Sequence, residues 1–179
     1  DGGGRIHMED FAQVFNLYPE RKYERGNYRN IAEVIWGEID EEALTEYVKR
    51  LVFNAFIGNG DMHMKNWSLI YPDGRNAALA PAYDFLSTLP YMNDTDMALN
   101  LYRGGPRRFD ALTQASFISF AAKAKLPETI VMTAVKETIS QFYDLWPEVQ
   151  KDLPIEKRVA EAIEKHLKTI PLAQEKSRV

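Results

Sequence analysis

The sequence predicts a mainly α-helical protein carrying one small β-hairpin. Three observations support that class. Residues 41–56 hold a long apolar repeat of 3.6 residues, residues 113–170 hold further amphipathic stretches separated by prolines, and two short β-type runs flank Asp73-Gly74. A chain of 179 residues that is 45% hydrophobic and 12% aromatic can bury a sizeable core, and residues 1–179 read as one domain.

Taken in order, Asp1-Gly2-Gly3-Gly4-Arg5 is a turn-like start without an initiator methionine, so the chain looks cut from something longer. A phosphate-cradling glycine loop needs a preceding strand, a following helix and a lysine in reach, which this run does not offer. Met8 to Phe15 places Phe11, Val14 and Phe15 on one helical face, which reads as a helix holding His7 near its start. Tyr18 to Asn30, with its proline, glycine and charges, reads as a loop. Asn30 is positioned to cap a short helix over Ile31–Gly37, and Asp40 to cap the next.

That next helix, Glu41 to about Phe56, repeats Leu44, Val48, Leu51, Val52 and Ala55, and its Glu41-Glu42 suits the positive helix end. It leads into a glycine-bearing loop at 58–66. Trp67–Tyr71 and Ala77–Ala80 then read as the two strands of a hairpin over residues 67–80, turning at Pro72–Arg75. Folding about Asp73-Gly74 sets Asn66 opposite Pro81 and Asp84 about three residues beyond, within roughly 10 Å at strand rise.

Residues 85–110 show no sustained period and carry Pro90, Gly104, Gly105 and Pro106, as either an ordered loop beside a site or a plain surface connection. Packing helices follow over residues 112–170. One spans Thr113–Ala124, a second opens at Pro127 and ends at Trp146-Pro147, and a third covers Ile155–Ile170 and stops at Pro171. Exposed pairs Glu161/Lys165 and Glu164/Lys168 are expected on the third.

Chemistry concentrates at Gly58-Asn59-Gly60-Asp61-Met62-His63-Met64-Lys65-Asn66 and Ala82-Tyr83-Asp84-Phe85-Leu86. A hydroxyl attacking the terminal phosphate of a nucleotide needs a proton acceptor, and Asp61 fits that role. Magnesium bridging the phosphates needs hard oxygen ligands, for which Asn66 and Asp84 are the candidates. Asp61 alone is an ordinary turn residue, and the catalytic reading rests on all three together. His63 reads as a backbone-bonding or nucleotide-facing side chain, and Lys65 as a phosphate contact or a solvated surface lysine.

The spacing Asp61-x-x-x-x-Asn66 equals that of the protein-kinase catalytic loop. The run from Phe56 to Ile70, with Leu79–Phe85, resembles the C-terminal lobe of HipA-like serine/threonine kinases, the toxins of bacterial toxin–antitoxin modules. Arg5–Gln13 and Pro19–Glu24 also resemble that family. The likeness covers most of residues 5–90 and is weak beyond about 110. It implies a protein-kinase-like fold, with ATP and Mg2+ as cofactors and His63, Met64, Lys65, Asn66, Tyr83, Asp84, Phe85 and Leu86 lining the nucleotide. It further implies a HipB-like antitoxin as partner and glutamyl-tRNA synthetase as acceptor. Where kinases carry Asp-Phe-Gly this chain has Asp84-Phe85-Leu86, which puts regulation by a backbone flip after the aspartate in doubt. Only 60 residues precede Asp61. The strand-borne lysine and phosphate-covering loop of a kinase normally lie well over about a hundred residues upstream, so an N-terminal lobe is expected to be absent.

Other readings compete. A non-catalytic kinase-like module that docks a repressor has no need of all three polar residues. A small-molecule phosphotransferase uses the same chemistry, so the acceptor class stays open. A metal-dependent hydrolase on Asp61, His63 and Asp84 lacks a second suitably spaced histidine, because His7 and His166 fall in expected helices. Autonomous nucleic-acid binding is not expected from a net charge of −4. Without cysteines, and with no apolar run near the ~20 residues of a membrane span, a cytoplasmic protein is expected.

Overall fold

In the computed structural model, which describes residues 5–17, 26–92 and 95–175, the chain runs β1 (His7–Asp10), α1 (Phe11–Val14), α2 (Tyr28–Glu38) and α3 (Glu41–Ile57). It continues with β2 (Ser68–Tyr71), β3 (Ala78–Leu79), α4 (Gln114–Ala124), α5 (Glu128–Asp152), α6 (Lys157–Leu167) and α7 (Pro171–Gln174). The architecture is mainly helical with one small sheet, as expected. The glycine run 2–4, the stretch 19–24 and Arg25 lie outside the described residues.

α3 is the helix on which the others pack, touching α2, α5, α6 and β3. Its start is fixed by Asp40, whose side chain accepts from the Ala43 amide at 2.8 Å. The apolar repeat Leu44, Val48, Leu51, Val52 and Ala55 is buried to within 1% exposure, so truncating Leu51 to alanine is expected to cost about 2–5 kcal/mol.

α2 begins three residues earlier than the sequence suggested. Asn27 is the cap, and Asn30 closes a reciprocal capping box with it from inside the first turn. Gly26, at φ +94°, supplies the turn that precedes the cap. The early start buries Tyr28, whose hydroxyl donates to the Met62 carbonyl while the Tyr47 hydroxyl donates to the Tyr28 carbonyl, both at 2.9 Å.

The expected helix over Met8–Phe15 is instead a strand followed by a single helical turn. Asp10 caps that turn in a capping box with Gln13, so the periodic Phe11, Val14 and Phe15 belong to α1 and its end. His7–Asp10 pairs with β2, His7 opposite Tyr71 and Asp10 opposite Ser68, and the Tyr71 hydroxyl donates to Glu9. His7 is therefore on a strand, not a helix. The sheet has three antiparallel strands in the order β1-β2-β3. Leu69 faces Leu79 and Ile70 faces Ala78. Extending that register puts Asn66 across from Ala82, one residue past the expected Pro81.

In the C-terminal region α4 ends at Ala124 as expected, and Thr113, expected as its first residue, is its cap. α5 passes through Pro147 to Asp152 instead of ending there. A proline ring deletes one backbone hydrogen bond and crowds the carbonyl four residues back. The apolar face nevertheless continues across it, with Trp146 stacked on Phe142 at 5.4 Å. α6 stops at Leu167, and Pro171, expected as a stop, opens α7 at its first position, where a missing N–H costs nothing. Glu161 pairs back to Lys157 at 3.5 Å. His166 is on α6, as expected, and its Nε2 lies 2.9 Å from the Ala55 carbonyl of α3.

Among the described residues of the stretch 85–108 there is no helix and a single bridge, Asp96 to Arg108. It is not a plain surface connection. Met97, Ala98, Leu99 and Leu101 are buried in the core, and the Asn100 and Leu101 carbonyls accept from the first amides of α2. No helix among the described residues is long and apolar enough to cross a membrane.

Candidate functional site

α3 delivers the loop that holds the expected base. Its C-terminal cap, Gly58, lies in the left-handed region at φ 69°, ψ 48°, so the chain reverses directly off the helix end. A Cβ there would also come within 2.4 Å of the Leu89 side chain, which leaves glycine as the residue that fits.

Asn59 then locks the turn. It is 1% exposed. Its Nδ2 donates to Asn54 Oδ1 at 2.8 Å and to the Asp84 carbonyl at 3.2 Å, and its Oδ1 accepts from the Asp61 amide at 3.1 Å. One amide side chain thus holds the backbone of both acids. Thr88 makes a second tie: its hydroxyl accepts from the Gly60 amide and donates to the Gly58 carbonyl. Neither residue stood out in the sequence, because Gly-Asn-Gly reads as a turn and a threonine in an aperiodic stretch carries no signal.

The loop continues into a 3-10 turn at Met64–Asn66, directly before β2. Asn66 Nδ2 donates to Asp84 Oδ2 at 3.0 Å, so the hairpin brings together two side chains 18 residues apart in sequence. Asp84 has φ +61°. A non-glycine residue in that region carries strain, least for Asp and Asn, and such strain gathers at functional sites. The positive φ thus falls on the aspartate itself and not at Leu86, where kinases have glycine.

Asp61 is about half exposed, with His63 Nε2 3.9 Å from its Oδ1. His63 is buried to 7%. Beneath them the Tyr28 phenol is driven well above the usual tyrosine range, by burial first and by the Asp61 charge in smaller part. Tyr83 donates to the Lys65 carbonyl at 2.7 Å and contacts the Ser68 hydroxyl, tying the segment before Asp84 to the loop. Burial raises the Tyr83 pKa above its ordinary value, so it remains a donor.

The remaining candidates divide. Lys65 is half-buried beside the pair. Met64 is fully buried in the core, leaving only its backbone to face a ligand. Phe85 stacks on Phe53 of α3 at 6.0 Å, while Leu86 is exposed. Among the described residues no group of three or more His, Cys, Asp or Glu is arranged to hold a metal.

Asn66 and Asp84 do fit a magnesium ion shared with a nucleotide. They present hard oxygens at one place, and magnesium takes one or two protein carboxylates and completes its shell with phosphates and water. The arrangement of one exposed carboxylate on a tethered loop, beside an amide–carboxylate pair, suits phosphoryl transfer to a hydroxyl.

A relative from Sinorhizobium fredii named "Putative kinase Y4dM" is 46% identical over 173 residues, covering 96% of this chain and 42% of its own. A relative from Haemophilus influenzae with the same kinase wording is 27% identical over 139 residues, covering 65% of this chain and 40% of its own. A solved complex of HipA, HipB and operator DNA from Shewanella oneidensis superposes with a TM-score of 0.75 at 17% identity, covering 97% of this chain and 45% of the matched one. The chain therefore spans less than half the length of these relatives. That superposition establishes that the chain has the fold of the matched HipA. The HipA-like C-terminal domain family matches residues 1–146, and the chain belongs to that family.

Proposed function

We propose that this chain is the catalytic lobe of an ATP-dependent serine/threonine protein kinase, the toxin of a toxin–antitoxin pair. The observation that carries this reading is the Asn66–Asp84 hydrogen bond, formed beside an Asp61 whose amide is held by the same Asn59 that grips the Asp84 backbone. The kinase names of the relatives support it.

The acceptor oxygen attacks the terminal phosphorus of ATP, its proton passes to the Asp61 carboxylate, and the bond to the leaving ADP oxygen breaks. Asn59 holds the Asp61 amide and Thr88 the Gly60 amide before it, so the Asp61 carboxylate needs little reorganisation as the proton moves. Asn66 and Asp84 would hold Mg2+, and magnesium, when bound, neutralises developing charge on the phosphates. His63, Lys65, Tyr83, Phe85 and Leu86, with the Met64 backbone, would line the nucleotide. A missing N-terminal lobe would complete the phosphate clamp.

The HipB in the matched complex makes a HipB-like antitoxin the proposed partner, acting in the cytoplasm, where control of such a toxin would bear on bacterial persistence. Glutamyl-tRNA synthetase is the proposed acceptor. Asp61→Asn in the full-length protein tests the reading. Loss of a base is worth about 10²–10⁴ in rate. Transfer above about a tenth of wild type, in protein that still melts cooperatively, overturns it.

A further inference from the structure

The chain carries a net charge of −4. Even so, a cavity of about 700 Å³ beside the start of α2 is lined by Arg29, Arg103 and Arg107 and, among the described residues, by no carboxylate. A second cavity, of about 380 Å³, shares Ala98 and Arg107 with it and is walled by Gly60, Asp61 and Asp96. Neither Asn66 nor Asp84 lines either space. Asp61 therefore borders a space, walled also by Asp96, that shares Arg107 with the arginine-lined cavity, and the Asn66–Asp84 pair borders neither.

The arginines are only partly neutralised. Arg29 Nε lies 3.1 Å from Glu33 Oε1, yet it is buried without a well-aligned hydrogen bond among the described residues. Arg107 Nε donates to the Met97 carbonyl at 3.0 Å, which orients the guanidinium, and its nearest carboxylate, on Asp96, is 4.0 Å away. Arg103 is exposed and makes no ion pair among the described residues. The first amides of α2 are already spent on Asn100, Leu101 and Asn27, so any attraction for anions comes from the guanidinium groups.

Three like charges around a concave space concentrate positive potential there, and guanidinium forks match carboxylate geometry. Polypeptide fits better than RNA. The basic groups form a pocket and not a stripe, and among the described residues no aromatic ring lines either cavity to stack a base. We propose that this cavity binds acidic side chains of the acceptor polypeptide, so that a serine or threonine with acidic flanks is held over Asp61. The proposal rests on Asp61 being the base.

The test uses fluorescence anisotropy on the 179-residue chain with a labelled peptide whose central serine is flanked by aspartates and glutamates. Its counterpart carries asparagines and glutamines, and a single-stranded RNA oligomer serves as competitor. Wild type is expected to favour the acidic peptide by about tenfold or more, less at high salt. Arg103→Glu, an exposed change that spares the fold, should abolish the preference, and Arg107→Glu should do the same. Arg158→Glu, which lines neither cavity and has its charge paired to Glu156, should not. Equal binding of the two peptides, a preference that survives both cavity variants, or RNA displacing the peptide more tightly than it binds overturns the proposal. Asp61→Asn should keep the peptide preference. If it also keeps phosphoryl transfer in the full-length protein, the base assignment falls while the peptide site stands, so the two failures are distinguishable.

Discussion

Replacing Asn59 with alanine removes three hydrogen bonds at once: those to Asn54 Oδ1, to the Asp84 carbonyl and from the Asp61 amide. At about 1 kcal/mol net for each, the loss is about 3 kcal/mol, with a further cost because Asn54 Oδ1 is left buried without its donor. Against a typical total of roughly 5–15 kcal/mol this is severe but survivable. For a chain of this length it corresponds to a fall in Tm of about 6–12 °C. Urea denaturation followed by circular dichroism gives the free energy, and amide exchange at Asp61 reports the local effect. Asn59→Asp keeps the acceptor for the Asp61 amide but loses both donated bonds and places a charge against two oxygens, so it should be at least as unstable. A change under about 1 kcal/mol with unaltered exchange at Asp61 would refute the role of Asn59 as the tie between the two acids.

Asn66→Ala and Asp84→Ala should each weaken magnesium-dependent ATP binding in the full-length protein, the carboxylate more, and their effects should be non-additive because both act on one metal–phosphate unit. Wild-type affinity for Asp84→Ala by calorimetry would remove the metal role. The 179-residue chain alone should fold, bind magnesium-ATP very weakly and transfer no phosphate until the remainder of the full-length protein is supplied. Labelling of a lysate by this chain alone, lost on Asp61→Asn, would contradict that. Burial lowers the His166 pKa below its ordinary 6.5, against a smaller opposing effect of the Ala55 carbonyl. The unfolded chain then binds the extra proton, so this contribution is fully present above about pH 6.5 and is lost as pH falls towards the folded pKa, by at most about 1.4 kcal/mol per pH unit. Stability measured from pH 7.5 to 5 should fall less steeply in His166→Gln than in wild type, and equal slopes would exclude this histidine as a source of acid sensitivity.

How far the sequence could be read depended on whether a signal was local. α3 was legible because a capping residue and an apolar period agree on the same boundary, and α4 from its apolar period alone. The hairpin was legible from its Asp73-Gly74 turn, and its register came within one residue, enough to bring Asn66 to Asp84. β1 was not legible: its four residues lack alternating burial, and their strand conformation comes from pairing with β2 some sixty residues later. Pro147 misled because a proline costs a helix one hydrogen bond, which continuing side-chain contacts can outweigh. Asn30 misled because Asn27, three residues earlier, offers the same cap chemistry and closes a box with it. Around the candidate site the charged residues stood out by type. Asn59 and Thr88, which hold them, act through backbone groups of residues distant in the chain.

The two phenols under the site have a consequence for how the molecule comes apart. Met62, in the loop, hangs from the Tyr28 hydroxyl, and Tyr28 in turn accepts from Tyr47 of α3, with all three side chains no more than 1% exposed. Loops that open alone do so because water can replace their hydrogen bonds at little cost. Here the floor of the loop is bonded through a helix into the core, and water reaches those bonds only when α2 leaves α3. Amide exchange at Met62 and His63 should therefore follow the slow global transition, while the rim at Leu86 and Tyr91, whose side chains are exposed, exchanges early. The loop would then keep its shape up to the temperature at which the helices separate.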